Sequence, residues 1–232
     1  MLSLAKRGVH SIFTYQSNRA EAEKVASLAR EAGAKAVALQ LDTGNVGAFD
    51  DFVAAVRKTL QSWGREQFDY LVNNAGNSQH INFEKMTEAD FDAVVNVHFK
   101  GVYFLTQKLL PLMNDGGRIA NLSSGLTRVA VPGSSAYAAA KGAVEILTRY
   151  LAKELASRGI AANTVAPSAI ETDIAGGSVH DDKQVNDFIT SVTALGRAGV
   201  ADDIGPAVAS LLTEDNRWIN AQRIEIFGGM FL

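Results

Sequence analysis

Cysteine is absent from the 232-residue sequence, which excludes disulfide bonds and thiolate chemistry. An excess of one charge is also missing, because 22 basic and 25 acidic residues give a formal net charge of −3. No basic stripe for nucleic acid and no polybasic membrane patch is therefore expected. No apolar run approaches the roughly 20 residues of a membrane span, and the start is too short an apolar stretch for a signal peptide. Together, these absences predict a soluble, cytoplasmic chain without a nucleic-acid or membrane partner.

The hydrophobic content of 47% is sufficient for a sizeable core, and the length fits one domain. Apolar runs alternate with amphipathic helical segments along the chain, and no repeat, linker or domain boundary interrupts them. Strands separated by helices of this length indicate a parallel sheet with helices on both faces. The sequence therefore predicts an α/β fold, a doubly wound parallel sheet in three layers, as a single domain over residues 1–232.

The predicted elements follow from this periodicity. Strands are expected over residues 9–15, 35–41, 68–73, 118–122, 160–166 and 223–227. Helices are expected over residues 19–32, 46–62, 88–113, 135–157 and 203–212. The stretch 168–186 is polar, contains glycine and is poorly periodic, so a mobile loop is predicted there.

A serine, a tyrosine and a lysine are spaced so that the predicted fold brings them together. Tyr137 and Lys141 are four residues apart in an alanine-rich helical run, so both side chains lie on one helix face. Ser124 follows the predicted strand 118–122, at the sheet edge where ligands bind. The ammonium of Lys141 is expected to lower the pKa of Tyr137, which then acts as general acid or base while Ser124 holds the reacting oxygen. This set predicts alcohol–carbonyl chemistry.

With two further segments, these residues resemble the classical short-chain dehydrogenase/reductase family over nearly the whole chain, from Val9 onward. The motifs are Asn-Asn-Ala-Gly at residues 73–76, Ser124, Tyr137-x-x-x-Lys141 and Pro167…Thr172, in the family's order. Tyr-x-x-x-Lys alone is common by chance, whereas the whole set is specific jointly. The resemblance implies a Rossmann-like fold, an oxidoreductase that uses a nicotinamide cofactor on a carbonyl or alcohol substrate, and a homodimer or homotetramer.

The resemblance also implies roles for individual residues. Tyr137 exchanges a proton with the substrate oxygen, Lys141 binds the nicotinamide-ribose hydroxyls, and Ser124 orients the substrate. The other cofactor positions are Asn74, Ala75 and Gly76 on the adenosine side, Asp42 at the adenine, and Ile170 and Thr172 at the nicotinamide carboxamide. Glycine at position 76 permits close approach of the backbone to the cofactor.

The family's catalytic asparagine, on the long helix, has two competing alignments in this chain. Asn96 is an asparagine two residues early, whereas His98 has the correct spacing to Gly101 and to Ser124. We prefer His98 as the positional equivalent. A neutral imidazole offers one donor and one acceptor and would connect Lys141 to a water-borne proton relay. A purely structural histidine at this helical position stays open as the alternative.

The start of the chain departs further from the family. Family members begin with a strand and a glycine-rich turn, and the helix that follows binds the pyrophosphate. Residues 4–8 resemble the end of that helix, so the first strand and the glycine motif are expected to be missing. Two strand edges are then expected to lie unpaired in the middle of the sheet, and a truncated gene or an incorrectly assigned start is expected.

The choice of cofactor depends on the residues after the first visible strand. Relatives that prefer NAD usually carry an acidic residue there, for the ribose 2′-hydroxyl. This chain has Ser17, Asn18 and Arg19, which would receive a 2′-phosphate through hydroxyl, amide and cationic contacts. Ser17 or Asn18 as a simple helix cap is an equally good interpretation, and the two roles are compatible. NADP(H) is therefore favoured over NAD(H).

Two other functions remain open. A 3-oxoacyl-thioester reductase of the same family would need a basic docking patch for its acyl carrier, around Arg128 or Arg149. A non-catalytic binder or pseudoenzyme is suggested by the missing glycine-rich turn. The histidines show no metal-ligand spacing, so no metal site is predicted. Ser168 and Ala221 replace glycines that are usual in the family.

Overall fold

Strands and helices alternate through the computed structural model, which describes residues 1–78, 80–172 and 177–232. The strands are β1 (Ser11–Tyr15), β2 (Ala36–Gln40), β3 (Phe68–Asn73), β4 (Met113–Leu122), β5 (Ala161–Pro167), β6 (Ile170–Glu171), β7 (Gly199–Val200) and β8 (Arg223–Ile226). The helices are α1 (Leu2–Ala5), α2 (Arg19–Glu31), α3 (Phe49–Ser62), α4 (Glu88–Val95), α5 (Gly101–Leu109), α6 (Ser135–Glu154), α7 (Ser178–Asp181), α8 (Lys183–Ser191) and α9 (Ala201–Leu211).

All pairings between these strands are parallel, which confirms the predicted α/β fold. One sheet has the order β3-β4-β5-β8, a second pairs β1 with β2, and a third, short sheet pairs β6 with β7. In each sheet the carboxyl ends of the strands meet at one edge, where open parallel sheets bind ligands. Within the described residues, no helix has the length and apolar character needed to cross a membrane.

The expected unpaired edges are present between β1 and β3. In the described part of the chain β1 pairs only with β2, and β3 pairs only with β4. Apolar packing joins the two sheets instead, because Ile12 of β1 and Leu71 of β3 contact the same buried cluster on α3 and α5. That cluster consists of Leu41, Phe49, Phe52, Val56, Leu60, Leu105, Leu109 and Leu112. The two sheets therefore share one core without sharing a strand pair.

Helices α2 and α3 form where the sequence provides caps and apolar spacing. Asn18 caps α2, since its Oδ1 accepts a hydrogen bond of 3.1 Å from the backbone N–H of Glu21. Gly33 follows the helix with a φ of +89°, a conformation that glycine adopts without strain. Helix α3 buries one apolar stripe, formed by Phe49, Phe52, Val56 and Leu60.

The single helix predicted over residues 88–113 is divided in the structure. A π-helical turn, Asn96–Lys100, separates α4 from α5, and a 3-10 turn, Leu110–Leu112, ends the helical segment. Met113 then begins β4, so the predicted helix end was one residue too late. Apolar periodicity does not distinguish a π turn from an α turn, which is why the interruption was not foreseen.

The prediction of a mobile loop over residues 168–186 is wrong where the structure describes that segment. It contains β6, α7 and the start of α8. Helix α8 is capped by Asp182, whose Oδ1 accepts a 2.8 Å hydrogen bond from the backbone N–H of Gln184. Val185, Phe188 and Ile189 have the i, i+3, i+4 spacing of a helix, so the sequence carried a signal for α8 that the polar residues around it obscured. Residues 173–176 lie outside the described residues.

The backbone at Ala221 provides a stability test. Ala221 has a φ of +59°, in the left-handed region where a Cβ costs roughly 1–2 kcal/mol. We expect Ala221→Gly to raise the free energy of unfolding by about 1 kcal/mol, measured by denaturant titration. Ala32, with a φ of −77°, is the matched control, and Ala32→Gly should lower the same free energy. A loss of stability in Ala221→Gly would show that left-handed strain is not stored there.

Candidate active site

Tyr137, Lys141 and Ser124 come together at the carboxyl end of β4, as the sequence predicts. Lys141 is buried and its Nζ donates a 2.7 Å hydrogen bond to the carbonyl of Leu122, the last residue of β4. The same Nζ lies 5.7 Å from the centroid of the Tyr137 ring. Ser124 follows β4, and its hydroxyl is close enough to Tyr137 to lower the pKa of that phenol. A phenol, a hydroxyl and an ammonium therefore share one side of α6.

The pKa of Tyr137 is shifted in the direction opposite to the expected one. Burial raises the pKa from its ordinary value of 10.0, and the nearby Ser124 hydroxyl, which lowers it, does not compensate. The net direction is therefore opposite to the expected lowering, because burial of the phenol dominates. The consequence is a phenol that is protonated at neutral pH and can donate a hydrogen bond or a proton to an oxygen beside Ser124.

The pKa of Lys141 is also shifted. Burial lowers the pKa of Lys141 from 10.5 to about 8, because desolvation disfavours the charged ammonium. At neutral pH most molecules still carry the charge, and a mildly alkaline solution removes it. An ammonium bonded to one carbonyl keeps two further donors for a ligand.

His98 lies against Tyr137 and is almost fully buried. The two ring centroids are 4.8 Å apart in an edge-to-face arrangement. The Nε2 of His98 is 3.0 Å from Oδ1 of Asn77, so Nε2 carries the hydrogen and Nδ1 is an acceptor. Nδ1 has no hydrogen-bond partner among the described residues. An orphaned buried acceptor at this position fits contact with a ligand or a water molecule.

Burial, and to a lesser extent the charge of Lys141, lowers the pKa of His98 from 6.5 to about 4, although the interaction with Asn77 opposes both effects. The imidazole is therefore neutral at pH 7, as a role with one donor and one acceptor requires.

The π turn decides which side chain faces Tyr137. Asn96 faces the segment after β2, since its Cβ lies 3.9 Å from the position that a Cβ on Gly44 would occupy. His98 instead faces Gly76, where an added Cβ would lie 2.9 Å from Cε1 of the imidazole. The structure thus brings His98 and not Asn96 to Tyr137. π turns occur frequently at functional sites.

The residues expected to bind the cofactor lie beyond the carboxyl ends of the strands. Asn74, Ala75 and Gly76 follow β3, and Asp42 follows β2 with its Oδ1 accepting a 2.9 Å hydrogen bond from the N–H of Gly44. Ile170 belongs to β6 and Thr172 follows it, with the Thr172 hydroxyl 3.5 Å from the Ile170 carbonyl. Neither residue forms a hydrogen bond or a ring contact with Tyr137 in the described part of the chain, so their role stays a prediction.

Ser17, Asn18 and Arg19 follow β1 and are exposed. Asn18 caps α2, as one of the two interpretations of the sequence predicted. The cap uses Oδ1, so the amide N–H₂ stays free to donate. The guanidinium of Arg19 has no ion pair or hydrogen bond with any part of the chain that the structure describes. A hydroxyl, an amide and an unpaired cation form a donor set suited to a phosphate.

These donors fit both ends of a dinucleotide, but its middle is not accounted for. Lys141, the unpaired Nδ1 of His98 and the close approach at Gly76 suit a nicotinamide ribose, and Arg19 suits a 2′-phosphate. In the described residues no glycine-rich turn connects a strand to a helix N-terminus before β1, where a pyrophosphate would bind. No group of histidine and acidic side chains suited to a metal occurs in the same described ranges.

Sequence reasoning missed a polar cluster behind Ser124. Glu145 of α6 and Arg223 of β8 form an ion pair of 2.8 Å, and both contact the segment that carries Ser124. A signal was present, since Glu145 lies eight residues after Tyr137 and therefore on the same helix face. The position of Arg223 could not be predicted from the sequence, because it depends on the pairing of β8 with β5.

Comparison with known proteins identifies the family. Residues 2–231 match the family described as Enoyl-(Acyl carrier protein) reductase. The chain belongs to the short-chain dehydrogenase/reductase family. It is 34% identical to 3-oxoacyl-[acyl-carrier-protein] reductase FabG of Staphylococcus aureus over 100% of this chain and 92% of that protein. An uncharacterized oxidoreductase of Methylorubrum extorquens is also 34% identical, over 98% of this chain and 90% of its own length.

Solved structures of short-chain dehydrogenases/reductases show the same fold. The promiscuous reductase LugOII, which catalyses keto-reduction at C1 during lugdunomycin biosynthesis, superposes with a TM-score of 0.94 at 34% identity, over 100% of this chain and 91% of its own. The angucycline C-6 ketoreductase LanV with bound NADP superposes with a TM-score of 0.91 at 31% identity, over 99% and 90%. This chain is thus an oxidoreductase of the family, and Rossmann-like as expected.

His98 should make stability depend on acid pH. Its folded pKa of about 4 lies below the unfolded value of 6.5, so the unfolded chain binds more protons between these values. The free energy of unfolding should therefore fall as pH is lowered from 6.5 to 4, by about 3 kcal/mol. Denaturant titration of His98→Gln should show a flatter profile, whereas the exposed control His10→Gln should keep the original slope. Equal slopes in the parent and in His98→Gln would contradict the assignment.

Proposed function

We propose that this protein reduces a carbonyl substrate with NADPH and that Tyr137 donates the proton. The observation that carries the proposal is the juxtaposition of a protonated, partly buried Tyr137 with Ser124, Lys141 and neutral His98. A protonated phenol beside a hydroxyl is suited to a carbonyl oxygen that gains negative charge. NADPH, when bound, supplies the hydride.

The chain's own residues would handle the oxygen and its proton. Ser124 holds the carbonyl oxygen beside the Tyr137 hydroxyl, and Tyr137 transfers its proton to that oxygen as the alcohol forms. The positive charge of Lys141, over the phenol ring, stabilises the phenolate that remains. His98 accepts a hydrogen bond at Nδ1 from water, which supports return of a proton to Tyr137. The oxidation of an alcohol would use the same groups in reverse.

Tyr137→Phe tests this mechanism directly. Without the hydroxyl no proton reaches the substrate oxygen, so kcat should fall at least about 100-fold in a spectrophotometric assay of NADPH consumption. The control is Tyr150→Phe, because Tyr150 lies on the same helix and is exposed. Full turnover by Tyr137→Phe would rule out the proton-donor role.

NADPH binding should be measured in the same variants by fluorescence titration. Unchanged binding by Tyr137→Phe, together with lost turnover, would separate the chemistry from cofactor affinity. A folded parent chain that binds no NADPH would instead favour a non-catalytic protein, which the unpaired edges of β1 and β3 suggest as the rival function.

The preference for NADP(H) would depend on Arg19. Support comes from its unpaired guanidinium, from the absence of a carboxylate at residues 16–19 and from LanV, which was solved with NADP. We expect Arg19→Ala to raise KM for NADPH about tenfold and to leave KM for NADH unchanged, because only NADPH carries the 2′-phosphate. Lys24→Ala on the same exposed helix is the control. An equal effect on both cofactors would argue against a 2′-phosphate contact.

A 3-oxoacyl thioester is the second substrate class to test. The identity to FabG supports it, whereas LugOII catalyses a keto-reduction during lugdunomycin biosynthesis and LanV is an angucycline C-6 ketoreductase. Arg128, one of the two cations expected to dock an acyl carrier, is paired with Glu225 at 2.8 Å. Arg149 is exposed. A panel containing both substrate classes would decide between them.

Self-association and location also remain proposals. We infer a homodimer or homotetramer because α6 exposes Ile146 and Tyr150 while Tyr103 of α5 is also exposed, and apolar side chains on neighbouring helices suit a contact between subunits. Sedimentation velocity would measure the oligomeric state. A cytoplasmic location stays a prediction.

A further inference from the structure

The segment from Ser123 to Thr127 lies behind Tyr137, and the carboxylate of Glu145 connects it to α6 and to β8. Oε1 of Glu145 accepts a 2.6 Å hydrogen bond from the Ser123 hydroxyl and lies 2.8 Å from the Thr127 hydroxyl. These two residues flank Ser124 in the chain. Glu145 therefore holds both sides of the residue that is expected to orient the substrate.

The second part of this cluster is Arg223, in the strand that pairs with β5. Its Nε donates to Oε1 of Glu145 at 2.8 Å, and its Nη2 donates to the Thr127 hydroxyl at 2.9 Å. Nη2 also lies 3.3 Å from the backbone carbonyl of Ser124 itself. Glu225 accepts a further hydrogen bond from the same guanidinium, which fixes its orientation.

The ion pair of Glu145 and Arg223 is largely shielded from solvent. The side chains of Glu145 and Arg223 are 20% and 21% exposed, so each would have an unpaired charge in a largely buried position if its partner were removed. Burial raises the pKa of Glu145, but hydrogen bonds from Ser123, Arg223 and Thr127 outweigh it and leave the pKa below 4.5. The pair is therefore fully ionised at neutral pH.

Helix geometry connects the pair to the reaction. Tyr137, Lys141 and Glu145 are spaced by four residues and lie on one face of α6. Lys141 bonds to the carbonyl of Leu122 and Glu145 bonds to Ser123, so the same helix face holds consecutive residues of the strand end. Since Lys141 and Glu145 hold the residues next to Ser124 while Tyr137 lies on the same helix face, small movements of this segment change the distance between the phenol and the serine hydroxyl.

We propose that Glu145 and Arg223 are positioning residues that fix Ser124 relative to Tyr137 for the chemical step. This inference rests on the proposed function, because it assigns Ser124 a role in orienting the substrate. Neither side chain contacts Tyr137 or Lys141 through a hydrogen bond that the structure shows. Their effect passes through the backbone of Ser124 and through the hydroxyls on either side of it.

Glu145→Gln and Arg223→Met are the variants that test the pair. Each should lower kcat about tenfold while KM for NADPH changes less than twofold, because the cofactor contacts lie elsewhere. Arg223→Lys, which keeps the charge, should recover part of the lost kcat. The double variant should be no slower than either single variant, since both remove the same interaction.

A matched control separates positioning from general loss of an ion pair. Asp115 and Arg158 form a 2.7 Å ion pair at the amino-terminal end of β4, away from Ser124, and Asp115→Asn removes it. Asp115→Asn should leave kcat unchanged. A kcat for Glu145→Gln and Arg223→Met equal to that of the parent, or multiplicative losses in the double variant, would overturn the proposal.

Hydrogen–deuterium exchange provides a readout that does not need turnover. Amides of residues 123–128 should exchange at least about fivefold faster in Glu145→Gln than in the parent or in Asp115→Asn, with the rest of β4 unchanged. Unchanged exchange would contradict positioning even in an active enzyme. If the parent chain shows no turnover, the proposed function fails, whereas the exchange measurement still decides whether the pair holds the Ser124 segment.

Discussion

One apolar layer holds the β1–β2 pair against the four-stranded sheet, and the positions of the functional residues depend on it. Strands β1 and β3 share no hydrogen bonds, so their relative placement relies on side chains of α3 and α5. Phe49 and Leu60 are almost completely buried there. Each such side chain contributes roughly 1.5–3 kcal/mol when removed from water. This non-directional packing replaces the directional pairing that strands usually supply.

The consequence for the site is a division into two halves. Arg19 and Asp42 are carried by the β1–β2 pair, whereas Tyr137 and Ser124 are attached to the four-stranded sheet. Contacts within the second half are hydrogen bonds of defined length, such as that from Lys141 to Leu122. Lys141 is therefore fixed to β4 by a directional contact, whereas only apolar packing connects this half to the residues expected to meet the 2′-phosphate.

Burial explains the electrostatic properties of the proton-handling half. Lys141 and His98 both have lowered pKa values because their charged forms are desolvated, and Lys141 lowers that of His98 further. Tyr137 is shifted upward by the same cause. At neutral pH the set consists of a neutral donor, a neutral imidazole and one ammonium. That combination can release a proton to an oxygen without first gaining one.

The alternation of apolar runs was enough to predict the parallel strands and their helices, and the interval from Ser124 to Tyr137 and Lys141 was enough to predict that these side chains lie together. Two features could not be predicted from the sequence. The direction of the Tyr137 pKa depends on how deeply the ring is buried, which local spacing does not report. The contact of Arg223 with Glu145 joins residues 78 positions apart, and only the strand order brings them together.

The predicted loop before α8 failed for a different reason. The helical spacing of Val185, Phe188 and Ile189 and the cap at Asp182 were both present in the sequence, but the polar residues around them favoured a loop. By contrast, spacing to Gly101 favoured His98 over Asn96, and the structure places Gly101 directly after the π turn and His98 against Tyr137, while a catalytic role for His98 stays a prediction. An added Cβ on Gly101 would lie 2.1 Å from the carbonyl oxygen of Thr43, so this glycine is sterically required.

The π turn at Asn96–Lys100 also constrains how this protein can change over evolutionary time. Each residue of an α-helix advances the chain by about 100° around the axis, and a π turn accommodates one residue beyond that repeat. Loss of a single residue between Asn96 and Lys100 would turn His98 away from Tyr137 or rotate Leu105 and Leu109 out of the core. The number of residues in this short stretch is therefore fixed by the packing on both sides of it, independently of which amino acids occupy it.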